Sequence, residues 1–138
     1  MTKKLIPLAV PDIGENEIEL IKQVFDTNFL TEGKFTADFE TEVANYLGVK
    51  NAIACTSCTT ALHTVFECLD IKGKEVIVSD YTYPASAEAI ILAGGIPVLA
   101  DVDLESMNIT ASILEESYNE EMTVFEPISW AGVPLETS

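Results

Sequence analysis

The chain has 138 residues, of which 48% are hydrophobic and 22% are charged, a balance typical of one folded domain rather than of a disordered segment. Acidic residues number 23, against seven lysines and no arginine, so the net charge is −16. This charge argues against binding to the nucleic-acid backbone or to anionic membranes, and no apolar stretch is long enough to span a bilayer. We therefore expect neither nucleic acid nor membrane as a partner.

The N-terminus and the cysteines indicate the cellular compartment. Two lysines near the start are followed by a short apolar run and then by an acidic segment from Asp12, so the apolar core of a secretory signal is missing. We therefore expect a cytoplasmic location. Cys55, Cys58 and Cys68 are odd in number and have no secretory context, which predicts reduced thiols rather than a disulfide framework.

Residues 1–50 are predicted to form an N-terminal helical segment. Apolar side chains recur at helical spacing over 15–25 and again over 36–47, which predicts two amphipathic helices. Thr36 is a plausible N-cap for the second helix, since its side chain can accept a hydrogen bond from the first turn. Gly48 is expected to end that helix, because glycine readily adopts the left-handed conformation found there.

Residues 51–138 are predicted to form an α/β fold. Short apolar runs alternate with helical patterns in this part of the chain. The predicted strands are 52–55, 75–78, 96–100 and 122–125. One predicted helix carries apolar residues at helical spacing over 62–69, a second runs from about 84 to 93, and a third starts at Thr110 or Ser112. Continuous apolar strands alternating with helices are typical of a mostly parallel sheet with helices on both faces. A sheet of four strands with no closing helix would leave an apolar edge uncovered, so we expect the fold to be incomplete by itself.

A run of hydroxyl-bearing residues lies between the first predicted strand and the helix that follows it. This run is Thr56-Ser57-Cys58-Thr59-Thr60. The first amides of a helix have no intrahelical acceptor and carry the positive end of the helix dipole, so such a turn suits a phosphate even without arginine. An ordinary Ser/Thr N-cap would give the same pattern, and both readings stay open.

Several short motifs follow one another in a recognisable order. They are Ile6-Pro7-Leu8, Leu30-Thr31-Glu32-Gly33, Phe39-Glu40, Tyr46-Leu47-Gly48-Val49, Ser57-Cys58-Thr59-Thr60-Ala61-Leu62, Lys74-Glu75-Val76-Ile77, Thr82-Tyr83 and Gly94-Gly95-Ile96-Pro97-Val98 with Asp101. In this order they resemble the DegT/DnrJ/EryC1/StrS family of sugar aminotransferases. Each motif is weak alone, but together they cover almost the whole chain.

The resemblance implies part of a fold-type-I aminotransferase large domain over residues 51–138, with pyridoxal 5′-phosphate (PLP) as cofactor. The residues that it assigns to the cofactor phosphate are Ser57, Cys58, Thr59 and Thr60. It assigns Tyr83 to stacking on the pyridine ring, as a flat apolar face would do. More weakly, it implies that Thr31 and Gly33 border the active site. Two departures stand out: Cys58 replaces a usual glycine, and Ser129 stands where histidine is common.

The resemblance also implies a reaction, namely transfer of an amino group from glutamate or glutamine to a keto-sugar nucleotide. In the family, the Schiff-base lysine and the aspartate that pairs with the pyridine nitrogen come after the last residue of this sequence. None of the seven lysines here matches that position, so we assign no catalytic residue and expect the chain to be inactive alone. A homodimer or a complementing chain is the expected partner, and whether the chain is itself an enzyme stays open.

Three alternatives compete with this interpretation. In the first alternative, the chain is a split or non-catalytic protein that binds PLP or phosphate and needs a partner chain. Alternatively, Cys55 and Cys58 form a thioredoxin-like redox pair, because a helix N-terminus lowers the pKa of a thiol. Least favoured is a zinc site from these cysteines with His63 and Cys68, since the last two face different directions on one helix. We assign no metal.

Overall fold

The computed structural model describes residues 6, 7 and 9–135. The chain forms two compact units, divided between Ala54 and Cys55. The first motif of the sequence includes Leu8, which lies outside the described residues. The division of the chain into a helical segment 1–50 and a PLP-binding domain 51–138 stays a prediction. Within the described residues, no helix is both long enough and apolar enough to cross a membrane.

The described part of the chain has five α-helices and three β-strands. In chain order they are α1 (Glu15–Asp26), α2 (Lys34–Leu47), α3 (Cys58–Cys68), β1 (Glu75–Ser79), α4 (Ala85–Leu92), β2 (Ile96–Ala100), α5 (Ala111–Ser117) and β3 (Met122–Glu126), followed by a short 3₁₀ turn (Trp130–Gly132). The predicted helices and the last three predicted strands are thus confirmed, with bounds that move by a few residues.

The first unit contains α1 and α2. The prediction that Thr36 caps α2 is wrong, because the helix begins two residues earlier and Gly33 precedes it in an extended conformation. An ion pair between Lys34 and Asp38, one turn apart, stabilises this earlier start. Gly48 ends α2 in the left-handed conformation (φ 67°), as predicted.

The apolar run 52–55 does not form the predicted strand. Among the described residues, 51–55 have no ladder partner, and the backbone N–H of Ala54 donates to Glu40 Oε1 at 2.8 Å instead. Ile53 is 83% exposed. A strand needs a neighbour to which its backbone groups can bond, and none of the three described strands pairs with this run.

The second unit is built on a parallel sheet with the strand order β2-β1-β3. Because β1 is central, its residues after Glu75 are all buried. Val76 lies opposite Pro97 on β2 and Val124 on β3, and the register between β1 and β3 shifts by one residue between Glu75 and Val76. Parallel strands of this kind are covered by helices on both faces, and such covering accounts for their continuous apolar sequences.

Alternate residues of β1 supply two separate cores. Val76 and Val78 pack with Phe66 of α3 and with Ala89 and Ile90 of α4 on one face. On the other face, Ile77 packs with Ala100 of β2, Met122 of β3, Ile113 of α5 and Ile109 of the loop before α5. Each fully buried Val or Ile side chain contributes about 1.5–3 kcal/mol. The predicted α/β fold with helices on both faces is confirmed.

Candidate functional site

Ser57 is the N-cap of α3. Its backbone is extended (φ −161°, ψ 164°), and its hydroxyl accepts a hydrogen bond from the N–H of Thr60 at 3.2 Å. In return, Thr60 Oγ1 accepts from the N–H of Ser57 at 3.1 Å and donates to the carbonyl of Ser57 at 2.8 Å. The two side chains thus form a reciprocal cap of the kind that the ordinary N-cap interpretation predicts.

This cap leaves two backbone donors free at the start of α3. The N–H of Ala61 donates to the carbonyl of Ser57 at 3.1 Å, and the N–H of Thr60 is taken by the Ser57 hydroxyl. Among the described residues, neither the N–H groups of Cys58 and Thr59 nor the Thr59 hydroxyl forms a hydrogen bond. These three donors lie at the positive end of the helix dipole, so the turn can hold an anion while remaining capped.

A cavity of about 500 Å³ opens beside this turn, within the second unit. Its wall combines the first residue of α3, the outer face of the same helix, the segment after β1 and the segment that ends and follows β3. The residues that line it are Cys58, Leu62, Val65, Phe66, Leu69, Thr82, Tyr83, Ser86, Val124, Phe125, Glu126, Pro127, Ile128 and Ser129. The size suits a small organic ligand, and the lining is mostly apolar.

The cavity lies where sequence reasoning places the ring-stacking residue. Tyr83 follows the carboxyl end of β1 and is 78% exposed, so the face of its ring is accessible to a ligand. Thr82 and Ser86 line the same cavity, and their hydroxyl oxygens are 3.4 Å apart. In open parallel sheets, ligands bind beyond the carboxyl ends of the strands, which is the position of this cavity.

The structure therefore brings some of the predicted residues together. Cys58 and Tyr83 line the same cavity, and Ser57, Thr59 and Thr60 belong to the helix start that Cys58 opens. Their assignment to the cofactor stays a prediction. Thr31 and Gly33 lie in the first unit, where Gly33 is the extended residue before α2. Their place at the border of an active site also stays a prediction.

Sequence reasoning did not identify Glu126, the last residue of β3. The residue is only 6% exposed, it lines the cavity, and its Oε2 has no hydrogen-bond partner among the described residues. Burial raises the pKa of Glu126, and the Ser86 hydroxyl partly offsets that rise. An acidic residue that ends an apolar run, just before Pro127, was the available signal.

The cavity has no cationic side chain. Among the described residues, no lysine, arginine or histidine lines it, and the single histidine, His63, faces Glu67 one turn along α3 at 3.3 Å. Cys55, Cys58 and Cys68 are free and exposed, as the prediction of reduced thiols requires. In the described ranges, no three His, Cys, Asp or Glu side chains lie close enough to hold a metal ion.

Comparison with known proteins gives the family of the chain. The model of the DegT/DnrJ/EryC1/StrS aminotransferase family matches residues 11–137. The chain belongs to this family. GDP-perosamine synthase of Caulobacter vibrioides is 37% identical over 129 residues, which are 92% of this chain and 35% of that protein. The spore coat polysaccharide biosynthesis protein SpsC of Bacillus subtilis is 34% identical over 92% of this chain and 33% of its own length.

Solved structures of DegT-family proteins and their relatives show the same fold. An aminotransferase from Psychrobacter cryohalolentis has a TM-score of 0.86 and 30% identity, over 94% of this chain and 34% of that one. Spr1654 of Streptococcus pneumoniae, solved in a PLP form, has a TM-score of 0.87 and 30% identity over 94% of this chain and 33% of that one. The chain thus spans about a third of the length of the relatives that it matches.

Proposed function

We propose that these residues are the N-terminal part of a PLP-dependent nucleotide-sugar aminotransferase. The whole protein transfers an amino group from glutamate or glutamine to a keto-sugar nucleotide. The observation that carries the proposal is the cavity in which the first residue of α3 and the ring of Tyr83 share one wall. The names of relatives that act in perosamine and coat-polysaccharide synthesis support a sugar substrate.

The start of α3 is the proposed phosphate site. The free N–H groups of Cys58 and Thr59 and the Thr59 hydroxyl donate to phosphate oxygens, and the helix dipole adds roughly half a positive charge. Thr60 contributes indirectly, because its side chain holds the Ser57 cap and so keeps the turn in shape. Backbone donors suit a chain of net charge −16 that contains no arginine.

The apolar wall of the cavity is the proposed site of the cofactor ring. The exposed face of Tyr83 offers a stacking surface, and Leu62 and Val124 contribute apolar contacts from α3 and β3. When bound, the cofactor supplies the electron sink for amino transfer. The residues of this chain hold its phosphate, orient its ring and exclude water from one face.

We propose that the chain alone does not transaminate. The reaction needs a lysine that bonds covalently to the cofactor, and none of Lys22, Lys34, Lys50, Lys72 and Lys74, the lysines within the described residues, lines the cavity. The remaining part of a longer protein or a complementing chain supplies that lysine. Incubation of the pure chain with PLP and glutamate is expected to yield no 2-oxoglutarate, and turnover would contradict the proposal. We place the reaction in the cytoplasm.

Cofactor binding is tested at the Cys58 amide. Proline is favoured at the first position of a helix, so Cys58→Pro removes one free N–H while the helix start is kept. Ser57 is already extended, as a residue before proline must be. The probe is pyridoxine 5′-phosphate, which has no aldehyde to react with surface lysines, titrated by calorimetry. Cys58→Pro is expected to weaken binding about tenfold.

Two controls separate the backbone donor from other effects. Cys58→Ala keeps the N–H and is expected to bind like the parent chain. Pyridoxine without phosphate is expected to bind the parent chain and Cys58→Pro equally weakly. If the parent chain does not bind the phosphate ester saturably, or if Cys58→Pro binds it as well as Cys58→Ala does, the proposed phosphate site is wrong.

A further inference from the structure

The cavity beside the start of α3 contains the carboxyl of Glu126, which the proposed phosphate site does not use. This residue ends β3, it is more than nine-tenths buried, and its Oε2 has no hydrogen-bond partner among the described residues. Cys58 lines the same cavity, and its N–H and that of Thr59 form no hydrogen bond within the described chain. One cavity therefore combines donors for an anion with a buried acid.

No cation compensates this acid within the described part of the cavity wall. The titratable groups that line the cavity with Glu126 are Cys58 from α3 and Tyr83 from the segment after β1. From α4 the cavity receives only the uncharged Ser86, and the residue of β1 paired with Glu126 is Val78. The residues after β3 that line the cavity are uncharged as well. An ionised carboxylate and a bound anion would therefore share a mostly apolar cavity without a positive side chain.

We propose that the cavity binds a phosphate ester together with a proton on Glu126, and that the ionised carboxylate opposes the ester. The inference rests on the proposed function, in which that ester is the cofactor. A negative charge disfavours a second one nearby, and the repulsion is stronger in an apolar cavity than in water. Glu126 thereby sets the pH range over which the phosphate site fills.

The direction of the pH dependence follows from the reciprocity of the two binding events. Burial raises the pKa of Glu126 in the free chain. A bound phosphate raises that pKa further, because an anion favours the neutral acid, and an ionised carboxylate weakens ester binding by the same coupling. Affinity is thus highest below the pKa of the free chain. It falls as pH rises through that value and levels off above the pKa of the loaded chain.

Calorimetric titration of the 138-residue chain with pyridoxine 5′-phosphate tests the coupling. Between about pH 5 and about pH 8, the affinity of the parent chain is expected to fall about tenfold relative to that of Glu126→Gln, which has the same shape and does not ionise. Ionisation of the ester, and of the other cavity groups, is common to both proteins and cancels in this ratio. Glu88→Gln removes an exposed charge on α4 and is the matched control, which should keep the pH dependence of the parent chain.

A second readout needs no variant and applies even if Glu126→Gln does not fold. The carboxyl carbon of Glu126 is followed by NMR in the parent chain as pH is varied, without ligand and with saturating pyridoxine 5′-phosphate. The ester is expected to move the titration midpoint of Glu126 to higher pH, as the reciprocal of its effect on affinity. Pyridoxine without phosphate, at the same concentration, should leave the midpoint where it is.

The outcomes separate this inference from the proposed function. Equal pH dependence in the parent chain and in Glu126→Gln overturns the coupling and leaves the phosphate site standing. A titration of Glu126 that the ester does not move has the same consequence. Failure of the parent chain to bind the ester saturably at every pH tested overturns the proposed function and this inference with it.

Discussion

The side-chain oxygen of Asn108 accepts a hydrogen bond from the backbone N–H of Trp130 at 2.8 Å. Its side-chain nitrogen donates to the carbonyl of Val133 at 3.1 Å, and the residue is only 3% exposed. The ring of Trp130 in turn packs on Tyr81, with ring centroids 4.4 Å apart. One buried amide thus fastens the segment after β3, which carries Ser129 of the cavity wall, to the loop after β2.

Loss of this amide should therefore loosen the cavity wall. Asn108→Ala leaves the N–H of Trp130 and the carbonyl of Val133 without their partner, and we expect it to lower the free energy of unfolding by about 1–3 kcal/mol. Urea denaturation measures the change. The control is Asn119→Ala, at an exposed asparagine that bonds to Glu75 at 2.9 Å, which should cost clearly less. Equal losses in the two variants would contradict a special role for Asn108.

Gly95 lies where α4 turns into β2, and it has no room for a side chain. A Cβ at this position would approach Ile71 Cδ1 to 2.7 Å and Ile90 Cγ2 to 3.0 Å, and both of these residues are fully buried. Gly95→Ala is expected to destabilise the second unit by about 1–3 kcal/mol through overpacking, measured by urea denaturation.

A double-mutant cycle tests the cause. Ile71→Val removes the methyl group that the new Cβ would meet first, so the double variant should lose less stability than the sum of the two single changes. Simple additivity would show that the cost at Gly95 comes from the backbone rather than from this contact.

The Ser57 cap is expected to stabilise α3 whether or not a ligand binds. Ser57→Ala removes the acceptor for the N–H of Thr60 and should lower the free energy of unfolding by about 1 kcal/mol. Ser57→Gly is the matched variant, since glycine at an N-cap typically costs only a few tenths of a kcal/mol relative to serine. Thermal unfolding followed by circular dichroism should rank alanine below glycine, and the opposite order would contradict the capping role.

Burial of Glu126 should make stability depend on pH. Because the pKa of Glu126 is raised above its usual 4.5 in the folded chain, its contribution is complete below pH 4.5 and is lost as pH rises through the raised pKa. Relative to Glu126→Gln, the parent chain should therefore lose stability between pH 4.5 and neutrality. Urea midpoints of both proteins across this range measure the effect, and a constant difference between them would contradict it.

Asp103 should show the opposite dependence. Hydrogen bonds from the Ser106 backbone N–H at 2.8 Å and from the Ser106 hydroxyl at 3.0 Å hold the pKa of Asp103 below its usual 3.8. Its contribution is present above pH 3.8 and is lost as pH falls through the lowered pKa. Asp103→Asn should thus destabilise the chain at pH 6 and matter less near pH 2. An Asp103→Asn effect that grows towards low pH would be inconsistent with this assignment.

The sequence by itself determined the local elements. Apolar runs such as 96–100 and 122–125 predict buried strands, and the hydroxyl-rich stretch at Ser57 predicts a helix start, because these patterns depend only on neighbouring residues. The fold class and the family motifs follow from the same local order. The predicted start of α2 was wrong, because the helix already begins at Lys34, after the extended Gly33, and Thr36 lies inside its first turn.

Only the tertiary structure decided which elements meet. It sets the strand order β2-β1-β3 and leaves the run 52–55 without a ladder partner. It also places Glu126 in the wall of a cavity that Cys58 and Tyr83 line as well. Strand pairing and burial depend on contacts between residues far apart in the chain, and the local sequence around a residue does not indicate which distant residues it will contact. For this reason the sequence predicted the phosphate turn, whereas the buried position of the Glu126 carboxyl was recognised only in the folded chain.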